Sequence, residues 1–173
     1  QGYESTWISD PTKAMGINPP SLYATFGDKA RLFLEAVERY GCKAGQSPES
    51  ILQGAPSARA AVDQLLQTAA RAFTDASHPP GCMVVSAATN CSASSAHVQE
   101  ALAARRKSTE TNIRKCLERG MKAGELPPKT DCAALAKFYA TVLEGMSIQA
   151  RDGASRRSLL ATAAAAMRAW AGA

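Results

Sequence analysis

Residues that favour strands are scarce in this chain of 173 residues, which has six valines and five isoleucines against 35 alanines. Alanine is the best helix former and β-branched side chains prefer strands, so an all-α fold is expected. Long apolar runs are also lacking. The longest, Leu159 to Met167, covers nine residues and is interrupted by Thr162, whereas a bilayer span takes roughly 20. No membrane span, and no membrane partner, is therefore expected. The opening stretch from Gln1 to Lys13 carries Glu4, Asp10 and Lys13 without an apolar core, so no signal peptide is expected either. A start on Gln rather than Met leads us to expect residues upstream.

Recognisable catalytic and cofactor patterns are missing as well. There is no Gly-x-Ser-x-Gly elbow and no phosphate-cradling glycine loop, and the two histidines, His78 and His97, stand far apart without metal-ligand spacing to any cysteine. No cofactor, no metal and no enzymatic activity are expected. Cysteine occurs five times, as Cys42, Cys82, Cys91, Cys116 and Cys132, an odd number without Cys-x-x-Cys spacing. Reduced thiols in a cytoplasm are expected from that usage.

The formal net charge is +5, but its placement carries more information than its sum. Residues 1–45 hold five basic and five acidic side chains, and the excess lies wholly beyond them, fifteen basic against ten acidic. Bulk charge does not by itself identify a polyanionic partner.

Helix signals then follow one another along the chain. Ser9-Asp10-Pro11 reads as a cap, an acidic first turn and a first-turn proline, with Gly16 closing a short helix. Asn18-Pro19-Pro20 repeats the start signal, and Leu22, Tyr23 and Phe26 give an apolar face before Gly27. Asp28 caps a third helix, whose Leu32, Phe33, Ala36, Val37 and Tyr40 keep helical spacing as far as Gly41. Gly45 to Pro56 is rich in Gly, Pro and Ser and is expected to be a linker. Five more helices are expected after it: Ser57–Ala76, a brief apolar run Cys82–Thr89, Ala96–Ala123, Thr130–Gln149 and Ser155–Trp170. The division is a small unit over residues 1–45 and a larger one over 46–173.

Two helices of about two turns joined by a tight glycine-containing turn make a helix-turn-helix, whose second helix offers its N-terminal residues to base edges in the major groove. The run from Gly2-Tyr3-Glu4-Ser5-Thr6 through Ala14-Met15-Gly16-Ile17-Asn18, followed by Leu22-Tyr23-x-x-Phe26-x-x-Lys29 and Leu32-Phe33, resembles the DNA-binding module of the TetR family of one-component repressors. Gly81-Cys82-Met83 and Ala103-Ala104-Arg105-Arg106 are similar to one subgroup of it. The sequence departs from the family pattern at Pro11, where an aliphatic residue is usual, at Trp7, where a small one is, and at Thr25, where His is common. The family's first helix would precede Gly2.

The resemblance implies a helix-turn-helix module followed by a helical ligand-binding and dimerisation domain. It further implies a double-stranded DNA operator, a small-molecule effector and a homodimer. Pro19, Pro20 and Ser21 would then face bases, and Thr6, Tyr23 and Lys29 would contact phosphates. Phe26 is expected to pack inside the small unit instead. Phe73, Met83, Val84, Phe138 and Met146, together with Cys82, are candidate ligand contacts among the helices, although apolar residues at helical spacing are usually core. The last two apolar stripes, separated by Arg151-Asp152-Gly153, would pair with their copies through Leu135, Val142, Leu159, Ala163, Met167 and Trp170.

Cys82 follows Pro79-Pro80-Gly81. If a helix begins there, its sulfur lies near the positive end, where a thiolate is favoured and reacts faster. Sensing of an electrophile or oxidant through Cys82 is thus an alternative trigger, against the ordinary role of a free cysteine as a small hydrophobe. A helical carrier or enzyme that binds no DNA is the rival class. A repressor by ancestry that binds a protein partner is a third.

Overall fold

The computed structural model describes residues 2–41, 47–87 and 91–172. Cys42 and the expected boundary at residues 45/46 lie outside that set. Among the described residues there is no strand, and α-helices carry the fold. In order they are α1 (Ser9–Met15), α2 (Pro19–Phe26), α3 (Lys29–Gly41), α4 (Pro48–Gly54), α5 (Ala58–Phe73), α6 (Met83–Ser86), α7 (Ala96–Lys122), α8 (Cys132–Arg151) and α9 (Arg156–Ala166). Short 3-10 segments precede α7 at Ala93–Ser95 and follow α9 at Met167–Gly172. None of these helices is long and apolar enough to cross a membrane.

The expected linker is helical over Pro48–Gly54. The Ser47 hydroxyl accepts the Ser50 N–H at 3.1 Å and Pro48 occupies the first turn, where its missing N–H costs nothing. Ile51 and Leu52 bury themselves against the main core. Composition suggested a linker because Ser and Pro serve helix starts as readily as loops.

α5 is central and packs against α4, α7, α8 and α9. Its buried face, Ala61, Val62, Leu65, Leu66, Ala69, Ala70 and Phe73, meets Ile113 and Leu117 of α7, Tyr139, Leu143 and Met146 of α8, and Leu159 and Ala163 of α9. Each fully buried Leu or Ile contributes about 1.5–3 kcal/mol over leaving it in water. Gly120 is where α7 and α5 touch, because a Cβ there would lie 2.6 Å from the Ala58 Cβ. Tyr139 is fully buried. Among the described residues its hydroxyl has no hydrogen-bond partner, and burial pushes its pKa up to about 12.

A second, smaller core joins Tyr3, which precedes α1, and Ala30 and Val37 of α3 to Val98 and Leu102 of α7. The N-terminal helices therefore rest on the long helix of the larger unit.

Candidate functional site

The first helix pair is set by local chemistry. α1 starts one residue earlier than a Ser9 cap would place it: Ile8 is the N-cap and makes no side-chain cap bond. The reason is Asp10, whose carboxylate reaches back to accept the Trp7 N–H at 2.9 Å. Thr12 is buried and donates its hydroxyl to the Ile8 carbonyl at 2.9 Å. Gly16 takes φ +67°, a left-handed conformation that glycine adopts without Cβ strain, and the Ile17 N–H closes back on the Thr12 carbonyl at 3.1 Å. That turn aims α2.

At the start of α2 the Asn18 side chain accepts the Ser21 N–H at 2.9 Å, and Pro19 and Pro20 fill the first turn. Leu22 points inward and is fully buried, whereas Pro19, Pro20, Ser21 and Tyr23 are exposed. Tyr23 leaves 46% of its surface free, unusual for an aromatic in a small module. Phe26 is half-buried, in keeping with a packing role. Asp28 accepts the Arg31 N–H at 2.7 Å and so caps α3.

Two of the expected phosphate contacts are engaged within the chain. Thr6 donates its hydroxyl to the Gly2 carbonyl at 2.9 Å, and Lys29 places its Nζ 4.4 Å from the centroid of the Tyr3 ring. Tyr3 in turn packs edge-on against Phe33, with centroids 5.1 Å apart. Its phenol pKa is raised, chiefly by burial and then by the negative charges of Glu4 and Asp28.

The module is tied to the larger unit through α6 and the start of α7, contacts that motif reading missed because their partners are distant in sequence. The Tyr3 N–H donates to the Ala87 carbonyl at 2.7 Å. The Glu4 carboxylate accepts both the N–H and the hydroxyl of Ser92, each at 3.0 Å. The Ser92 backbone bond foremost, then the Ser95 and Ser92 hydroxyls, hold Glu4 below the usual carboxylate range. Arg105 of α7 pairs with Glu38 of α3, and within the larger unit Arg106 donates to the Val84 carbonyl at 2.8 Å, holding α6 on α7. Behind α6, the Cys82 N–H donates to the buried Ser147 hydroxyl at 2.8 Å. Tyr40 sits beside Cys82; although 39% of its surface is exposed, its phenol is pushed up to about 12, by burial of the hydroxyl end first and the neighbouring thiol second.

Cys82 is the residue before a single-turn helix, so little helix dipole acts on its sulfur. Cys116 and Cys132 are buried thiols whose pKa burial raises; Cys91 is half-buried and shifted the same way by the same cause.

The candidate ligand contacts do not form one set. Phe73 and Met146 lie in the main core, Cys82, Met83 and Val84 are half-buried at α6, and Phe138 faces outward with 40% of its surface exposed. An open groove of about 730 Å³ lies elsewhere, between Thr74–Pro80 and Ala150–Arg156, and none of the six lines it. The candidate dimer contacts divide as well. Leu135 and Val142 are half-buried, but Leu159, Ala163, Met167 and Trp170 are buried within the chain's own core, so they are unavailable to a second copy. Helical spacing revealed that α9 has an apolar stripe without telling which neighbour it meets.

A family model described as "Tetracyclin repressor-like, C-terminal domain" matches residues 58–170. The chain belongs to the TetR family. Family relatives cover nearly all of it. It is 32% identical over 170 residues to the HTH-type transcriptional repressor ComR of Escherichia coli (strain K12), a match spanning 98% of this chain and 81% of that one. It is 33% identical over 169 residues to the HTH-type transcriptional repressor BdcR of the same organism, spanning 96% and 79%. Among solved structures it is similar to a cysteine mutant of the TetR family transcriptional regulator CifR complexed with 26-bp double-strand operator DNA. That likeness has a TM-score of 0.93 and 44% identity, covering 98% of this chain and 88% of the other. The all-α arrangement of a helix-turn-helix and a larger helical domain is thus that of TetR-family regulators, and the chain's relatives are transcriptional repressors.

Proposed function

We propose that this TetR-family protein is a homodimeric, cytoplasmic repressor without enzymatic activity, which occupies a DNA operator and leaves it when a small molecule binds the larger unit. The observation that carries this reading is the start of α2, where Pro19, Pro20, Ser21 and Tyr23 are exposed on a helix aimed by the Gly16 turn and the Asn18 cap. In the proposal the two prolines touch thymine methyls, Ser21 hydrogen-bonds a base edge, and Tyr23 donates its hydroxyl to a phosphate. Thr6 and Lys29 serve from the flanks, Lys29 by leaving the Tyr3 ring. The CifR complex with operator DNA supports the assignment by similarity.

The effector is proposed to act where α6 lies between the two cores, at the half-buried Cys82, Met83 and Val84. Release follows if the ligand favours an arrangement whose two reading heads no longer match successive major grooves. Titrating the protein against duplexes from its own upstream DNA, by fluorescence anisotropy at several salt concentrations, tests the reading. Affinity is expected to fall steeply with salt as counterions are released. A helical carrier or enzyme would show no salt-dependent duplex binding, and failure of the dimer to bind any such duplex would overturn the proposal.

A second trigger, modification of Cys82, is favoured by the packing of its thiol against Tyr40 and of its backbone against Ser147. An alkylating electrophile would form an S–C bond there, the thiol proton passing to solvent. Treating the parent and Cys82→Ser with N-ethylmaleimide is expected to release operator from the parent alone. Equal release by both would exclude the trigger.

A further inference from the structure

Trp7 is the most exposed large apolar side chain among the described residues, with 76% of its surface free against 46% for Tyr23, the next. It stands where the family pattern has a small residue, and nothing in the protomer accounts for a ring of that size in water. Its main chain is nevertheless held on both sides: the N–H donates to the Asp10 carboxylate at 2.9 Å, and the carbonyl accepts the Asp10 N–H at 3.0 Å. Its neighbours Thr6 and Ile8 are half-buried. A free indole is therefore presented from a fixed backbone just before α1. Among the described residues nothing accepts its Nε1–H, whereas the buried Trp170 donates its own to the Glu125 carbonyl.

We infer that Trp7 lies against the sugar-phosphate backbone of the operator, its ring on a deoxyribose and its Nε1–H donated to a phosphate oxygen. The first helix of a helix-turn-helix crosses the backbone while the second enters the groove, so a side chain at the start of α1 meets sugars and phosphates rather than base edges. The chemistry is complementary. An indole has an apolar face and a donor without an acceptor, and the DNA backbone has apolar sugar faces and acceptors without a donor. Charge supplies little there: residues 1–45 balance five basic against five acidic side chains, Thr6 gives its hydroxyl to Gly2, and Lys29 sits over the Tyr3 ring. An uncharged contact gives the small unit backbone affinity that it lacks in cations. Trp7 is thus a positioning residue: it fixes where α1 stands on the duplex, and with it the reading helix that the Gly16 turn aims. This inference rests on the operator binding proposed above.

Quenching of tryptophan emission by acrylamide, a neutral molecule, tests the contact in the unaltered protein. Trp170 is buried, so the quenchable emission is that of Trp7. Its quenching is expected to fall severalfold when a duplex from the protein's own upstream DNA is added, a result that stands whatever a substitution does to folding. Trp7→Ala is expected to keep the parent's melting temperature, as truncation of an exposed side chain does, and to weaken duplex binding about tenfold for each head. The slope of log affinity against log salt should stay unchanged, since an uncharged ring releases no counterion, whereas Lys29→Ala makes it shallower by about one for each head. A parent that binds no such duplex overturns the operator reading itself. With the parent bound, undiminished quenching or a Trp7→Ala affinity equal to the parent's overturns this inference alone. A shallower salt slope in Trp7→Ala does the same, since it assigns the loss to displaced cations.

Discussion

Glu125 shows how much one side chain outside any helix can do. It follows Gly124, which turns the chain at φ +77°, and its carboxylate accepts the first free N–H groups of α5, Ala58 at 3.0 Å and Arg59 at 3.1 Å. Its own carbonyl takes the Trp170 indole N–H at 3.3 Å. Burial works to raise the Glu125 pKa, but the two backbone bonds, the Ser57 hydroxyl and the Arg119 charge together outweigh it, and the result lies below the ordinary 4.5. A carboxylate depressed on folding contributes stability above its unfolded pKa and loses that contribution as pH falls through the folded value. Glu125→Gln is expected to cost about 1 kcal/mol near neutrality through loss of a charged cap. Urea melts of the two proteins should converge as the pH is lowered below 4.5, and a pH-independent difference would refute the charge argument. No local signal marks this cap, because Ala58 and Glu125 meet across 67 residues of sequence.

At the scale of the element, α2 depends on its first turn. The Asn18 side chain is the acceptor for the Ser21 N–H, and Ser21 is one of the proposed base contacts. Asn18→Ala is expected to destabilise the protein by about 1 kcal/mol, as loss of an N-cap does. It should weaken operator binding by more than its effect on thermal unfolding alone explains, since the fraying turn is the one that enters the groove. Anisotropy titration beside a thermal melt separates the two effects, and unchanged operator affinity would detach Asn18 from recognition. The first three helices were legible in the sequence because caps, prolines and glycines mark their ends within a few residues. α4 was not, since Ser47 and Pro48 belong equally to loops and helix starts. The Cys82–Thr89 run is a single described turn, Met83–Ser86, too short for periodicity to classify.

For the whole molecule, operator recognition requires two heads about 34 Å apart, one turn of duplex. Hydroxyl-radical footprinting of an operator is therefore expected to show two protected patches separated by about 10 base pairs or a multiple, and a single continuous patch would indicate a different assembly. Among the described residues each head is joined to the larger unit by the Tyr3–Ala87 and Glu4–Ser92 hydrogen bonds and the Arg105–Glu38 ion pair, near α6 and along the first half of α7.

By itself the sequence determined the all-α class, the helix-turn-helix and most helix ends, because propensity, capping and the Gly16 turn are local properties of neighbouring residues. It also showed which helices carry apolar stripes. Which neighbour each stripe meets was decided only in three dimensions. Leu159, Ala163, Met167 and Trp170 turn into the protomer's own core while Phe138 and Ile148 stay outside it. The physical reason is that a 3.6-residue period records that one face of a helix is apolar, whereas its partner is chosen by contacts between segments far apart in the chain.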